Sequence, residues 1–143
     1  MQLGVEASGI VIAAGADAVG PAGHIVVGDE LIAYRITGAY AEEIVVAAAD
    51  VVPKPVELSW EQAATMMLTG TTAAHVLAAV RARRGQTVLV HGAGGAVGLA
   101  TVQLARLDDI NVVGTVGHNG FDTLRHVGCV PALALNQSFE CSA

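Results

Sequence analysis

Residues 86–105 constrain this chain more than any other stretch. Val88-Leu89-Val90 is a short apolar run, His91-Gly92-Ala93-Gly94-Gly95 is a glycine-rich turn, and Ala96-Val97-Gly98-Leu99 opens an apolar helical pattern directly from it. A parallel strand covered on both faces reads as such a continuous apolar run, and glycines let the backbone turn sharply with nothing above it. The first amides of the helix that follows lack intrahelical acceptors, and with the helix dipole they favour an anion. Strand, glycine turn and helix in this order place a dinucleotide pyrophosphate on a helix N-terminus. The fingerprint fits best as Ala93-x-Gly95-x-x-Gly98, with alanine in the first glycine position. Ala93, Gly94, Gly95, Ala96, Val97 and Gly98 are therefore the candidate cofactor-binding residues of the turn, and Leu99, Val102 and Leu104 to Leu107 the apolar contacts of its helix.

A glycine turn between strand and helix can also bind nothing. Its surroundings argue otherwise: a second apolar strand, Ile110 to Val116, follows at the spacing of a right-handed strand-helix-strand unit. No Lys, Arg, Asp or Glu occurs between Arg84 and Arg106, which raises a membrane span as a rival reading. Five glycines, His91 and two glutamines interrupt that stretch, so a buried strand and helix explain it better.

Other short segments occur in a recognisable order: Gly4-Val5-Glu6-Ala7-Ser8-Gly9, Val27-Gly28-Asp29-Glu30, Gly38-Ala39-Tyr40-Ala41-Glu42, Glu61-Gln62-Ala63-Ala64, Gly70-Thr71-Thr72-Ala73 and the glycine turn. With them the chain resembles the medium-chain dehydrogenase/reductase superfamily, in its zinc-independent quinone oxidoreductase-like branch. The resemblance implies an α/β fold, with a partial Rossmann-type parallel sheet preceded by the remnant of a GroES-like β-barrel domain. On that reading residues 1–58 are a partial GroES-like catalytic-domain segment, and residues 59–143 are linker helices and the first half of a dinucleotide-binding domain. The chain is expected to begin partway through the first domain and stop midway through the second. The opening strands of the catalytic domain and the later strands of the nicotinamide pocket would then lie elsewhere. Zinc-dependent relatives carry a histidine before the glutamate of the first motif; Val5 stands there, so no metal is expected. The resemblance also places Thr72 near the cofactor, whereas the residues alone read it equally as a helix N-terminal cap.

Along the remaining chain, residues 3–14, Ile25 to Tyr34 and Tyr40 to Val46 have strand-like patterns separated by Gly and Pro signals. Gly28-Asp29 reads as a structural turn and Tyr40 as a packing residue. Pro53-Lys54-Pro55 ends the strand pattern. Ser59 with Gln62 forms a capping-box signal ahead of a helix from about Trp60 to Leu68, and a further helix is expected over Thr72 to Val80. Arg81-Ala82-Arg83-Arg84 then reads as a solvated helix end that suits the helix dipole.

Sites that prefer NAD carry an acid about 20 residues past the glycine turn, on the ribose 2′-hydroxyl. Gly117, His118 and Asn119 occupy that region here, with no acid to repel a 2′-phosphate. NADP(H) is the expected cofactor, with His118 and Asn119 as candidate donors to the phosphate. Hydride transfer needs no catalytic constellation from the protein, since the nicotinamide does the chemistry; no catalytic residue is assigned, and His24, His75, His91 and His126 read as local hydrogen-bonding or surface residues. Cys129 and Cys141 make neither a disulfide framework nor a metal site.

A formal net charge of −6 and no basic run exclude electrostatic binding of nucleic acid. Charged residues are 14% of the chain, against roughly 25% in a typical domain. An apolar surface of that kind, with a half sheet ending on an open strand, predicts a homo-oligomer or an aggregation-prone chain. The N-terminus lacks the positive region of a secretory signal, which makes the cytoplasm the default location. The expected activity is NADP(H)-dependent hydride transfer to a quinone, an enone or a related carbonyl compound. The competing expectations are an inactive fragment that binds at most nucleotide or a partner chain, and an enoyl-reductase module of a larger synthase.

Overall fold

A computed structural model describes residues 2–117 and 120–134. It divides into two units, Met1–Leu68 and Thr69–Ala143.

The first unit is mainly β. Strands β1 (Glu6–Ile10), β4 (Glu30–Tyr34) and β5 (Val51–Pro53) form an antiparallel sheet in the order β1-β4-β5, while β2 (Val19–Gly20) and β3 (Gly23–His24) make a separate two-stranded ribbon. Ser8 lies opposite Ile32, and Ile32 opposite Val52. The strand pattern expected over residues 3–14 narrows to β1, and that over Ile25 to Tyr34 breaks at a turn. There the Val26 N–H donates to Asp29 Oδ2 at 2.8 Å and Gly28 takes φ +99°, so Gly28-Asp29 is structural as expected.

Tyr40 to Val46 is not a strand. β4 already has a partner on each edge, and apart from the Tyr40 N–H donating to the Leu3 carbonyl at 3.2 Å the segment packs by side chains: Ile44 and Val46 lie against the buried cluster of Ala33, Ile36 and Val51. The alternation of apolar residues thus reports burial without a ladder. Tyr40, expected to pack, is 84% exposed.

Helix α1 (Trp60–Val80) runs 21 residues across the division between the units. Its start is the expected capping box: the Gln62 N–H donates to Ser59 Oγ at 3.3 Å, and the Ser59 N–H to Gln62 Oε1 at 3.0 Å. The two helices expected over 60–68 and 72–80 are one. Gly70 costs a helix only about 1 kcal/mol relative to alanine, and no proline intervenes to force a break. Thr72 is consequently a helix-interior residue and not an N-terminal cap. The helix stops at Val80, with Arg81 at φ +52°, so the arginines follow the helix and its last turn carries no basic residue. Arg84 instead pairs with Asp109 at 2.8 Å on the exposed surface. Among the described residues α1 is the one helix long and apolar enough to cross a membrane, a property that core helices share.

The second unit is α/β. β6 (Thr87–Val90), β7 (Asn111–Val116) and β8 (Val130–Ala134) form a parallel sheet in sequence order, joined by α2 (Ala96–Leu107) and α3 (Phe121–His126). Its core gathers Leu77, Ala93, Val102, Ala105, Ile110, Val112, Val116, Leu124 and Cys129. On α2 the buried positions are Gly98, Thr101, Val102 and Ala105, spaced as one helical face. Leu107 falls on the opposite face and is 80% exposed, contrary to the contact expected of it. β6 also departs from expectation. Val88 and Val90 pack on the core, but Leu89 is 68% exposed, so the described residues cover this strand on one face only. Burial pushes the Cys129 thiol above its ordinary value, and its Sγ lies 3.5 Å from the Val112 carbonyl.

Candidate functional site

At the end of β6 the chain enters the glycine turn and is tied at once to β7. The Gly92 N–H donates to Thr115 Oγ1 at 3.1 Å, and the Ala93 N–H to the Thr115 carbonyl at 2.9 Å. Gly92 takes φ +70°, a conformation that favours glycine, and the Gly95 N–H closes the turn on the Gly92 carbonyl at 3.0 Å. Gly95 is the extended N-cap of α2, and its carbonyl accepts from the Leu99 N–H at 2.8 Å. The amides of Gly94, Ala96, Val97 and Gly98 are left without an acceptor among the described residues.

Packing explains the third glycine of the fingerprint. A Cβ on Gly98 would lie 2.5 Å from the Gly92 carbonyl oxygen and 2.6 Å from Ala93 Cα, so only glycine lets the helix approach the turn this closely. Gly114 does the same from β7, where a Cβ would stand 2.7 Å from the Ala93 methyl. At Gly95 the nearest contact would be the Gly92 carbonyl oxygen at 3.4 Å, an ordinary van der Waals distance, so packing does not require glycine there.

A cleft of about 480 Å³ opens over this turn. Gly95, Ala96, Val97 and Gly98 form its polar wall, and Val76 and Leu89 contribute apolar surface, with His91 beside them. No Asp, Glu, Lys or Arg lines it. Its attraction for an anion therefore rests on open backbone N–H groups and the α2 dipole. A cavity of about 230 Å³ in the first unit is lined by residues between Gly20 and Pro53.

The structure brings together four of the residues singled out in the sequence, Gly95 through Gly98. Ala93 is fully buried with its N–H already bonded, so it sits beneath the cleft and not in it. Gly94 is close to Val116, which a Cβ would meet at 2.6 Å, and does not line the cleft. Thr72 does not line it either, although Val76, one turn later on α1, does. Gly117 follows β7 outside the cleft, its carbonyl accepting from the Gly120 N–H at 2.9 Å. His118 and Asn119 lie outside the described residues. Among those residues no group of three or more His, Cys, Asp or Glu could hold a metal ion.

Sequence reasoning missed Thr115. It is 9% exposed between Gly114 and Val116 of β7, and a buried hydroxyl there needs partners, which His91 Nδ1 at 2.8 Å and the Gly92 N–H supply.

The comparisons agree with this geometry. The mouse quinone oxidoreductase is 42% identical over 92 residues, 63% of this chain and 28% of that protein. The Escherichia coli quinone oxidoreductase, solved in complex with NADPH, superposes with a TM-score of 0.85 at 28% identity over 96% of this chain and 42% of its own. The CurK enoyl reductase gives 0.82 at 30% identity, over 90% of this chain and 38% of its own. No family model matches the chain. The chain belongs to the medium-chain dehydrogenase/reductase superfamily, in its quinone oxidoreductase-like branch. It spans about 28% of the mouse relative and 42% of the bacterial one.

Proposed function

We propose that the cleft at the start of α2 holds the pyrophosphate of NADP(H), and that the protein carrying this segment transfers hydride to a quinone, an enone or a related carbonyl compound. The observation that carries the reading is the row of open amides at Ala96, Val97 and Gly98 beside Gly95, where no side chain stands in the way. An anionic bridge between two nucleosides fits that donor set, and the apolar surface of Val76 and Leu89 suits the less polar parts of the same ligand. The bound nicotinamide would supply the hydride. The chain's part is to bind and orient: Thr115 ties down the turn, Gly98 sets the approach of the helix, and Gly95 leaves space for phosphate. The bacterial relative solved with NADPH supports the choice of cofactor. Gly117, His118 and Asn119 remain the proposed surroundings of the 2′-phosphate, and Thr72, Ala93 and Gly94 the supporting residues of the site.

The likeness to an enoyl reductase supports a second reading, in which the same cofactor reduces an enoyl group within a larger synthase. Turnover with a quinone or with an enoyl thioester by the full-length protein separates the two. We also propose cytoplasmic location, a small-molecule substrate with neither nucleic acid nor membrane as partner, and self-association through the open edge of β6 beside exposed Leu89.

Titration of the chain with NADPH and NADH, followed by nicotinamide fluorescence, tests the site. Saturable binding, tighter for NADPH, is expected. Gly95→Glu places a carboxylate against the phosphate position and should abolish binding with an unchanged far-UV spectrum. Equal affinity in that variant places the ligand elsewhere. A folded, monodisperse chain that binds neither nucleotide supports the inactive-fragment reading.

A further inference from the structure

The Thr115 hydroxyl has one proton to give, and its oxygen already accepts the Gly92 N–H. The acceptor at hydrogen-bond distance is His91 Nδ1, 2.8 Å away. If Nδ1 carried a proton instead, the Thr115 hydroxyl hydrogen would have no acceptor among the described residues, in a side chain that is nearly buried. The assignment that satisfies every group has Thr115 donating to Nδ1, which puts the imidazole proton on Nε2. His91 lines the cleft next to the open amides, and no charged side chain competes with it there.

We propose that His91 is a ligand-contacting residue of the dinucleotide site: Thr115 holds its neutral Nε2–H form, and that N–H donates to an oxygen of the dinucleotide backbone. The inference rests on the nucleotide reading of the cleft and adds a specific donor to it. Thr115 is then a positioning residue with two duties, setting the turn through Gly92 and Ala93 and setting the His91 tautomer.

Long-range proton–nitrogen spectra of the chain labelled at histidine nitrogens read the tautomer directly, and NADPH titrations of the same samples read its use. The expected result is an Nε2–H tautomer at His91 that is lost from uniqueness in Thr115→Val and restored in Thr115→Ser. Affinity for NADPH should fall about three- to tenfold in His91→Phe, the scale of one neutral hydrogen bond, and stay near wild type in His91→Gln, whose amide N–H can take the place of Nε2–H. His91 is solvent-exposed, so neither substitution threatens the core. A wild-type chain that binds NADPH no better than His91→Phe, or an Nδ1–H tautomer, overturns this proposal and leaves the nucleotide site standing. A folded wild-type chain that binds no NADPH overturns the nucleotide reading and this proposal with it.

Discussion

The antiparallel sheet β1-β4-β5 and the parallel sheet β6-β7-β8 each have three strands, yet they hold their residues in different ways. In the first, a small buried cluster of Ala33, Ile36 and Val51 is supplemented by half-buried side chains, some from a segment with no ladder at all. In the second, nine buried residues form one cluster, and the two buried polar side chains, Thr101 and Thr115, are both hydrogen-bonded. Glycine is used differently as well. A Cβ on Gly9 in β1 would meet nothing within 4 Å, whereas one on Gly98 or Gly114 would strike backbone or core atoms. Close approach at glycine occurs in both units, at Gly4 against Ala39 and Gly20 against the Ala48 carbonyl in the first, but in the parallel unit Gly98 and Gly114 converge on one turn at Gly92 and Ala93.

The largest expected effect tests the dependence on few side chains. Ile32 is fully buried in β4, and Ile32→Ala should cost about 2–5 kcal/mol through lost transfer energy and the cavity left behind. Trp60, the only tryptophan, lies in the same unit and reports its unfolding in urea by fluorescence. Leu124→Ala is the matched change in the parallel unit, where Leu124 is equally buried within the larger cluster. A smaller shift of the Trp60 transition for Ile32→Ala than for Leu124→Ala would break the comparison.

Next in size is the close approach itself. Gly98→Ala should destabilise the parallel unit by about 1–3 kcal/mol, because the new methyl meets the Gly92 carbonyl and Ala93 Cα, neither of which is a flexible chain end. Gly9→Ala, with open space around it, should change stability by no more than about 0.5 kcal/mol. Equal midpoints for the two variants in thermal unfolding would show that the turn yields more readily than its geometry implies.

This difference also decided what could be read in advance. The parallel half was legible because its signals are local: an apolar run, a glycine turn and a helical face follow one another within residues 87–107, and each supports the next. Gly95 to Gly98 emerged as cleft residues for the same reason. Leu89 departs from the apolar-run pattern because the cover on its other face depends on a neighbour that the local pattern does not name. The antiparallel half depends on pairings between distant residues, such as Glu6 with Tyr34 and Leu31 with Pro53. Alternation in Tyr40 to Val46 foretold burial of Ile44 and Val46 but carried no information on whether β4 had a free edge. His91 and Thr115, 24 residues apart in sequence, meet only once β6 and β7 pair, so their contact had no signature along the chain.

A smaller effect belongs to the start of α1, which the Ser8 hydroxyl of β1 ties to the first sheet by donating to the Trp60 carbonyl at 2.7 Å. Ser59→Ala removes the hydroxyl that accepts the Gln62 N–H and should cost about 1 kcal/mol. Chemical denaturation with helical circular dichroism reads that loss; a change confined to Trp60 fluorescence would mean that only the local environment of the ring had moved.

The smallest effect sharpens the same point by charge. Glu61 lies in the first turn of α1, and its carboxyl is held below the usual glutamate range by its own backbone N–H and by the Ser59 hydroxyl. A carboxylate whose folded value is depressed stabilises the folded chain above its unfolded value, and that contribution is lost as pH falls through the unfolded value toward the folded one. Glu61→Gln should therefore lower the neutral plateau slightly and flatten the acid limb by the same small amount, the two profiles meeting at low pH, since the group is fully exposed. The acid limb should also flatten in Ser59→Ala, where part of the cause of the shift is removed. If the two changes alter the acid limb additively, the hydroxyl and the carboxylate act independently; if Glu61→Gln has no further effect once Ser59 is alanine, the serine is the route by which the charge stabilises this helix.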